Sequence, residues 1–211
     1  MAFNLIIEKY FKINKVSRET INDIEEYKGI LIKNNKKFNL ISQNDEKIID
    51  VRHILDSLQV IDLIDKNNKK CIDLGSGAGF PGLIIAIIMK NQSREIETHL
   101  YEKSLRKSEF LKLVSDKLKL NTKIISENIL NQKNLATGSI TARAFKPVDE
   151  IFKITLNNFK KYKNLILFLG KNSKQDFLDT TKTWDFEYKE RKSITSKDSL
   201  IVNVKNIKKK N

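Results

Sequence analysis

The residues of this chain best suited to chemistry are concentrated between positions 73 and 82, where a carboxylate and four glycines follow a short apolar segment. Asp73 ends the apolar segment, and the glycines are Gly75, Gly77, Gly79 and Gly82. Glycine adopts positive φ without strain and lets a ligand approach the backbone, because it has no Cβ. A strand, a glycine-rich turn and a helix N-terminus in this order are typical of a nucleotide-binding site.

Two classes of nucleotide ligand fit this turn. The spacing Gly77-x-Gly79-x-x-Gly82 satisfies the dinucleotide pattern, in which a pyrophosphate lies at the helix N-terminus. The alternative begins at Asp73 and Gly75 and resembles motif I of the class I S-adenosylmethionine methyltransferases. In that interpretation the glycine backbone packs against adenosine and methionine, and Asp73 anchors the ammonium group directly or through water. A glycine-rich turn without a ligand is the third possibility.

A second carboxylate supports a nucleoside ligand. Glu102 directly follows the next predicted strand and lies 20 residues beyond Gly82. This is the spacing at which an acid accepts hydrogen bonds from ribose hydroxyls. Since both ligand classes contain a ribose, Glu102 favours a bound nucleoside without choosing between them.

Strands and helices that alternate from residue 69 onward must position these residues. The predicted strands are 69–74, 97–101, 122–126, 138–143, 163–169, 185–190 and 198–205, with helices that include 147–159 and 172–182. This alternation predicts an α/β fold: a seven-stranded, mostly parallel sheet with helices on both faces. Residues 1–68 are predicted to form a helical extension packed on the domain of residues 69–211, which gives one structural domain overall.

Ligands of such sheets bind beyond the carboxyl ends of the strands. This rule adds Ile129 and Leu130 after the third strand; they either flank an adenine or belong to the ordinary core. It also adds Arg143, after the fourth strand, whose guanidinium is costly to bury unless it meets an anion or acceptor. We expect Arg143 to face a ligand carboxylate or RNA, or to form a structural ion pair with Asp73 or Asp56.

Composition narrows the function classes. The 211 residues carry a formal net charge of +14, which attracts polyanions such as nucleic acid, although lysine-rich compositional drift accounts for part of it. The one cysteine, Cys71, excludes a disulfide framework and a cysteine zinc site, so no metal is expected. No apolar run reaches the ~18 residues of a membrane span, and the first residues lack a signal-peptide pattern. These observations predict a soluble cytoplasmic protein that does not bind membranes.

Five blocks of the sequence together form a recognisable pattern: Asn-Leu-Ile-Ser at 39–42, Arg-His-Ile-Leu-Asp-Ser-Leu at 52–58, Gly-Ser-Gly-Ala-Gly-Phe-Pro-Gly at 75–82, the segment from the acid to Phe-Leu at 102–111, and Ala-Arg-Ala at 142–144. They resemble the bacterial 16S ribosomal RNA guanine-N7 methyltransferases, also called glucose-inhibited division protein B. Their order and spacing agree with the family over roughly residues 38–150, most of a domain.

The resemblance implies a class I methyltransferase with a Rossmann-like sheet that transfers a methyl group from S-adenosylmethionine to N7 of a guanosine in 16S RNA. The partner is then 16S RNA or the small ribosomal subunit, and we expect a monomer. The family's cofactor contacts carry over to Gly75, Phe80, Ile129, Leu130 and Arg143. In one departure, the family's Lys-Gly after the fifth strand is Gly170-Lys171 here, so Lys171 is given no role.

Guanine N7 has a free lone pair, so methylation needs alignment of the reactants and no base to remove a proton. His53 and Asp56 lie three residues apart on one predicted helix face and are the candidate catalytic residues that line a guanine pocket. Alternatively, they form a packed helix surface on which Asp56 pairs with a lysine. Two rival functions stay open: an NAD-dependent oxidoreductase, and a non-catalytic RNA-binding module on a methyltransferase fold.

Overall fold

The computed structural model describes residues 3–92 and 95–210. The strands are β1 (Lys70–Leu74), β2 (Glu97–Tyr101), β3 (Thr122–Ile125), β4 (Leu135–Ala136), β5 (Ser139–Arg143), β6 (Phe159–Lys161), β7 (Asn164–Leu169), β8 (Trp184–Lys192) and β9 (Leu200–Lys209). The helices are α1 (Leu5–Ile13), α2 (Arg18–Phe38), α3 (Gln43–Lys47), α4 (Asp56–Leu58), α5 (Gly82–Asn91), α6 (Leu105–Leu118), α7 (Val148–Asn158) and α8 (Lys171–Thr180). A π-helical turn over Asp50–Leu55 runs directly into α4, and 3₁₀ turns cover Ile61–Leu63 and Ile129–Asn131.

Seven strands form one sheet in the order β3-β2-β1-β5-β7-β9-β8. The first five of these are parallel, and β9 runs antiparallel between β7 and β8. This confirms the predicted mostly parallel α/β sheet with an antiparallel end. The five parallel strands begin and end within one residue of their predicted bounds, whereas the short parallel pair of β4 and β6 was not predicted.

The helices that precede β1 share an apolar core with α5 and α6, the helices that follow β1 and β2. Ser17 caps α2 through its side chain, which accepts a hydrogen bond from the backbone N–H of Thr20. Ile24 and Leu31 of α2 belong to the same buried cluster as Leu83 of α5 and Phe110 of α6. The division of the chain at residue 68 remains a prediction.

Helix α5 is apolar on all sides because it lies between the sheet and α2. Every residue from Gly82 to Met89 is buried, and Pro81 stands at the position just before the helix. A helix with no polar face is typical of the centre of a fold. Within the described residues, none of the helices combines the length and the apolar character that a membrane crossing requires.

Candidate functional site

The glycine-rich loop follows β1 directly and is strained for any other residue. Gly75, Gly77 and Gly79 have φ values of 71°, 56° and 103°. A Cβ at Gly75 would overlap the ring of Phe145, and a Cβ at Gly79 would overlap Leu83. Backbone conformation and space therefore both demand glycine at these two positions.

Contacts from distant elements hold this loop in place. The backbone N–H of Gly77 donates to one carboxylate oxygen of Glu102 at 2.9 Å, and the N–H of Ser104 donates to the other at 2.8 Å. The hydroxyl of Tyr27, on α2, donates to the carbonyl of Ala78 at 2.6 Å. Each oxygen of Glu102 keeps a further lone pair, so the predicted contact with ribose is compatible with its hold on the loop.

A cleft of about 600 Å³ opens beyond the carboxyl ends of β1, β2 and β3, and we call it the glycine-loop cleft. Eight of the predicted site residues line it: His53, Gly75, Gly77, Phe80, Glu102, Ile129, Leu130 and Arg143. The structure thus brings together residues that are spread over more than ninety positions of the chain.

Asp73 and Gly79 lie behind the walls of this cleft rather than on them. Asp73 is 1% exposed, and one of its carboxylate oxygens accepts a hydrogen bond from the hydroxyl of Thr141 at 2.6 Å. Burial raises the pKa of Asp73 to about 6. A carboxylate in this position supports the base of the loop and does not face the cleft, where the sequence placed it against a ligand's ammonium group.

Ile129 and Leu130 occupy the 3₁₀ turn after β3 and have different surroundings. Ile129 is 3% exposed and belongs to an apolar cluster, and its carbonyl accepts a hydrogen bond from Asn158 at 2.7 Å. Leu130 is 47% exposed at the cleft. The sequence left open whether these two residues flank an adenine or belong to the core. Ile129 is part of the core, and Leu130 is exposed where it can cover a ligand.

The buried guanidinium of Arg143 ties β5 to the π-helical turn and α4. Its Nε pairs with Asp56 at 3.1 Å, its Nη1 contacts Nδ1 of His53 at 2.9 Å, and its Nη2 donates to the carbonyl of Arg52 at 2.7 Å. Of the two ion pairs expected from the sequence, the one with Asp56 forms. Arg143 also lines the glycine-loop cleft, so it is available to a ligand there.

His53 is neutral near pH 7. Burial and the adjacent charge of Arg143 lower the pKa of its imidazole to about 3. The ring stacks on Phe80 with centroids 4.9 Å apart and planes inclined by 20°. Its Nε2 is buried and has no hydrogen-bond partner among the described residues.

Asp56 faces away from the glycine-loop cleft and anchors the loop between β8 and β9. Its Oδ1 accepts hydrogen bonds from Gln59 at 2.7 Å, from Thr195 at 2.8 Å and from Ser193 at 3.3 Å. The partner of its other oxygen is an arginine rather than the lysine of the alternative interpretation. With these contacts Asp56 positions its neighbours, and it also lines the second cleft described below. The catalytic role that the sequence assigned to it together with His53 remains a prediction.

A second cleft, of about 1050 Å³, lies beyond the carboxyl ends of β5 and β7, and we call it the β5–β7 cleft. Its walls include residues 3–4, 46–52, 168–170, 195–196 and 199–201, together with Asp56 and Arg143. The two clefts share Arg52, Arg143 and Ala144. Lys171 begins α8 next to this cleft with its side chain exposed.

The sequence did not predict the β5–β7 cleft as a cavity, because its walls come from segments far apart in the chain. The most useful missed signal was the rule that ligands bind at strand ends, which also applies to Gly170 after β7. Within residues 3–92 and 95–210, no group of three or more His, Cys, Asp or Glu side chains is placed to hold a metal.

Solved structures with the same architecture define the class of fold. TrmK of M. capricolum, in complex with S-adenosylhomocysteine, aligns with a TM-score of 0.52 at 16% identity over 78% of this chain and 68% of that chain. The 16S rRNA methylase RmtB aligns with a TM-score of 0.53 at 11% identity over 87% of this chain and 74% of that chain. At such identities the likeness shows the fold alone, which is that of the class I methyltransferases, as predicted.

Sequence comparison identifies the family within that class. The model of the family "rRNA small subunit methyltransferase G" matches residues 20–203. Relatives named ribosomal RNA small subunit methyltransferase G are 46% identical in Pelagibacter ubique, over 95% of both chains, and 33% identical in Rickettsia felis, over 92% of this chain and 98% of that one. The chain belongs to this family of methyltransferases.

This membership confirms three predictions: the resemblance, the enzyme class, and S-adenosylmethionine as the cofactor. It does not favour the NAD-dependent oxidoreductase or the non-catalytic RNA-binding module. The roles of the individual site residues remain predictions.

Proposed function

We propose that the protein transfers a methyl group from S-adenosylmethionine, bound in the glycine-loop cleft, to N7 of a guanosine of 16S ribosomal RNA presented in the β5–β7 cleft. The observation that carries this proposal is the junction of the two clefts at Arg143 and Ala144. Ligands bound in the two clefts would meet there, beyond the carboxyl end of β5.

The glycine-loop cleft fits the cofactor in size and chemistry. Its volume of about 600 Å³ lies within the usual range for pockets that enclose a small ligand. The free lone pairs of Glu102 suit the ribose hydroxyls, and Leu130 offers an apolar surface to the adenine. The backbone of Gly75 and Gly77 lets the methionine part approach closely, because no Cβ intervenes.

The reaction needs alignment more than acid–base chemistry. When bound, the cofactor would supply an activated methyl group. As guanine N7, whose lone pair is already free, bonds to the methyl carbon, the bond between that carbon and sulfur would break, and the sulfur would keep the electron pair as the neutral thioether of S-adenosylhomocysteine. The protein holds the two reactants in line and excludes water. The purine gains positive charge in this step, and the cations beside it are offset, because His53 is neutral, Arg143 pairs with Asp56 and Arg52 pairs with Asp45 at 3.3 Å.

The RNA must present an unpaired base, since the edge that carries N7 has to reach a cleft inside the protein. Lys103 and Lys107 at the rim of the glycine-loop cleft, and Lys47 at the rim of the β5–β7 cleft, offer phosphate contacts. We extend the proposal to the small ribosomal subunit as the partner, to the cytoplasm as the compartment, and to a monomer as the acting form.

Radiolabelled S-adenosylmethionine tests the proposal when it is incubated with the protein and small ribosomal subunits from a strain whose 16S RNA lacks N7-methylguanosine. Digestion of the RNA should place the label in N7-methylguanosine. Label in a different nucleoside, or none while the cofactor still binds, would overturn the assignment of N7. Subunits that already carry the modification serve as the control and should take up no label.

A further inference from the structure

His53 carries one polar group that no described residue satisfies. Its Nδ1 lies 2.9 Å from Nη1 of Arg143, and a guanidinium donates hydrogen bonds but cannot accept them. Nδ1 is therefore the acceptor, and the neutral ring carries its proton on Nε2. A buried N–H without a partner is rare in folded proteins, and one that belongs to a residue on a cleft wall is a candidate donor to a ligand.

The orientation of this N–H is fixed from two sides. One face of the imidazole stacks on Phe80, and its edge is held by Arg143, which is itself held by Asp56. His53 belongs to the π-helical turn Asp50–Leu55, and turns of this kind are frequent at functional sites. The residue is 9% exposed and lines the glycine-loop cleft but not the β5–β7 cleft. Its neighbours Arg52 and Arg143 line both, so a base that enters the β5–β7 cleft meets His53 only where it extends past these two residues into the junction.

We infer that Nε2–H of His53 donates a hydrogen bond to O6 of the target guanine and thereby selects guanine over adenine; this inference rests on the proposed function. Guanine presents N7 and O6 side by side, and both are acceptors. N7 must stay free for the methyl group, so O6 is the atom left for a protein donor. Adenine presents an amino group at the same place, which would set two donors against each other.

The neutral state of His53 suits this role. An imidazolium would oppose the positive charge that the purine acquires during methylation, whereas a neutral N–H reads O6 without adding charge. The nearby charge of Arg143 is balanced by Asp56 at 3.1 Å. His53 therefore acts as a specificity-determining residue that touches the substrate, and Asp56 acts on it through Arg143.

The test uses small subunits reconstituted from 16S RNA that carries, at the target position, either guanosine or 2-aminopurine, which is guanine without the 6-oxygen. The preference for guanosine, measured as a ratio of kcat/KM values, is compared between the wild-type protein and His53→Phe. N7 of guanosine and N7 of 2-aminopurine differ in intrinsic reactivity, but this difference affects the wild type and the variant equally and cancels when their preferences are compared. We expect the preference to fall roughly 10- to 100-fold in the variant, as for the loss of a buried hydrogen bond, with unchanged cofactor affinity by calorimetry.

Two further variants sharpen the test. His53→Gln retains an amide N–H at the end of the side chain and should restore part of the preference. His99→Phe removes the other histidine of the chain, which is buried on β2 beside Glu97 and lines neither cleft, and should keep the wild-type preference.

An equal loss on both substrates in His53→Phe would overturn the inference. So would a loss of cofactor affinity beyond tenfold, since Nε2–H would then belong to the cofactor. These outcomes differ from failure of the proposed function, in which the wild-type protein itself methylates no guanosine of the subunit at N7.

Discussion

The lining of the glycine-loop cleft comes from segments between residues 40 and 146, whereas the lining of the β5–β7 cleft comes from segments between residues 3 and 201. The loop that follows β1 and the acid that follows β2 lie within thirty positions of each other, and both line the first cleft. The second cleft needs residues 3–4, the π-helical turn, the end of β7 and the loop before β9. We therefore expect a single substitution in the glycine loop to weaken cofactor binding. Substitutions in several segments that are distant in the sequence should each weaken RNA recognition.

Gly75→Val should have the largest effect, because it places a branched side chain at a φ of 71° and against the ring of Phe145. We expect cofactor affinity to fall at least about 30-fold, as measured by calorimetry, since strain and overlap each cost on the order of 1–3 kcal/mol. Gly29→Ala is the matched control, because a Cβ at Gly29 meets no atom within 4 Å. Unchanged affinity in Gly75→Val would remove the cofactor from this loop.

Arg143→Met tests the wall that both clefts share. The substitution leaves Asp56 without its buried partner, so we expect a loss of roughly 3–5 kcal/mol in the free energy of unfolding. Denaturant titration measures this loss. The double variant with Asp56→Asn should recover part of it, because the buried charge is then gone; strict additivity of the two changes would show that the residues do not interact.

Asp73→Asn tests whether the Asp73 carboxyl is buried beneath the glycine loop, because burial makes the free energy of unfolding depend on pH. The native pKa of Asp73 is about 6 against an ordinary value of 3.8, so the folded state binds the proton more tightly and loses stability as pH rises between these values. The variant lacks this dependence, and its stability relative to wild type should rise by about 2 kcal/mol from pH 4 to pH 7. His53, whose pKa is lowered, makes the free energy of unfolding rise with pH over part of the same range. This contribution is the same in the variant and the wild type, so it cancels when the two are compared.

Parallel stability curves for Asp73→Asn and the wild type would contradict the buried position of this carboxylate. Cofactor affinity measured at pH 7 provides the second readout. It should change by less than tenfold, because Asp73 lies beneath the loop and not on the cleft wall.

Tyr27→Phe should have the smallest effect. It removes one hydrogen bond, from the hydroxyl on α2 to the carbonyl of Ala78, while the ring stays packed on Phe80. We expect a loss of about 1 kcal/mol in unfolding free energy and a few-fold weaker cofactor binding. No change in either would mean that the N-terminal helices do not steady the loop.

The same contrast explains how much could be predicted from the sequence. The bounds of the parallel strands and the glycine loop follow from local periodicity and from glycine chemistry, and both were predicted. The contact between Tyr27 and Ala78 spans 51 residues, and that between Thr195 and Asp56 spans 139. No pattern in a single sequence pairs such residues, so the role of Asp56 and the second cleft emerged only from the fold.

The central claim is that two clefts hold two different reactants, and Ser196→Trp tests it most directly. Ser196 lines only the β5–β7 cleft and lies on a partly exposed loop that has room for a larger side chain. Methyl transfer to small subunits and cofactor affinity would be measured on the same preparation. We predict at least a tenfold loss of transfer with cofactor affinity unchanged; full transfer, or a parallel loss of cofactor binding, would contradict the account.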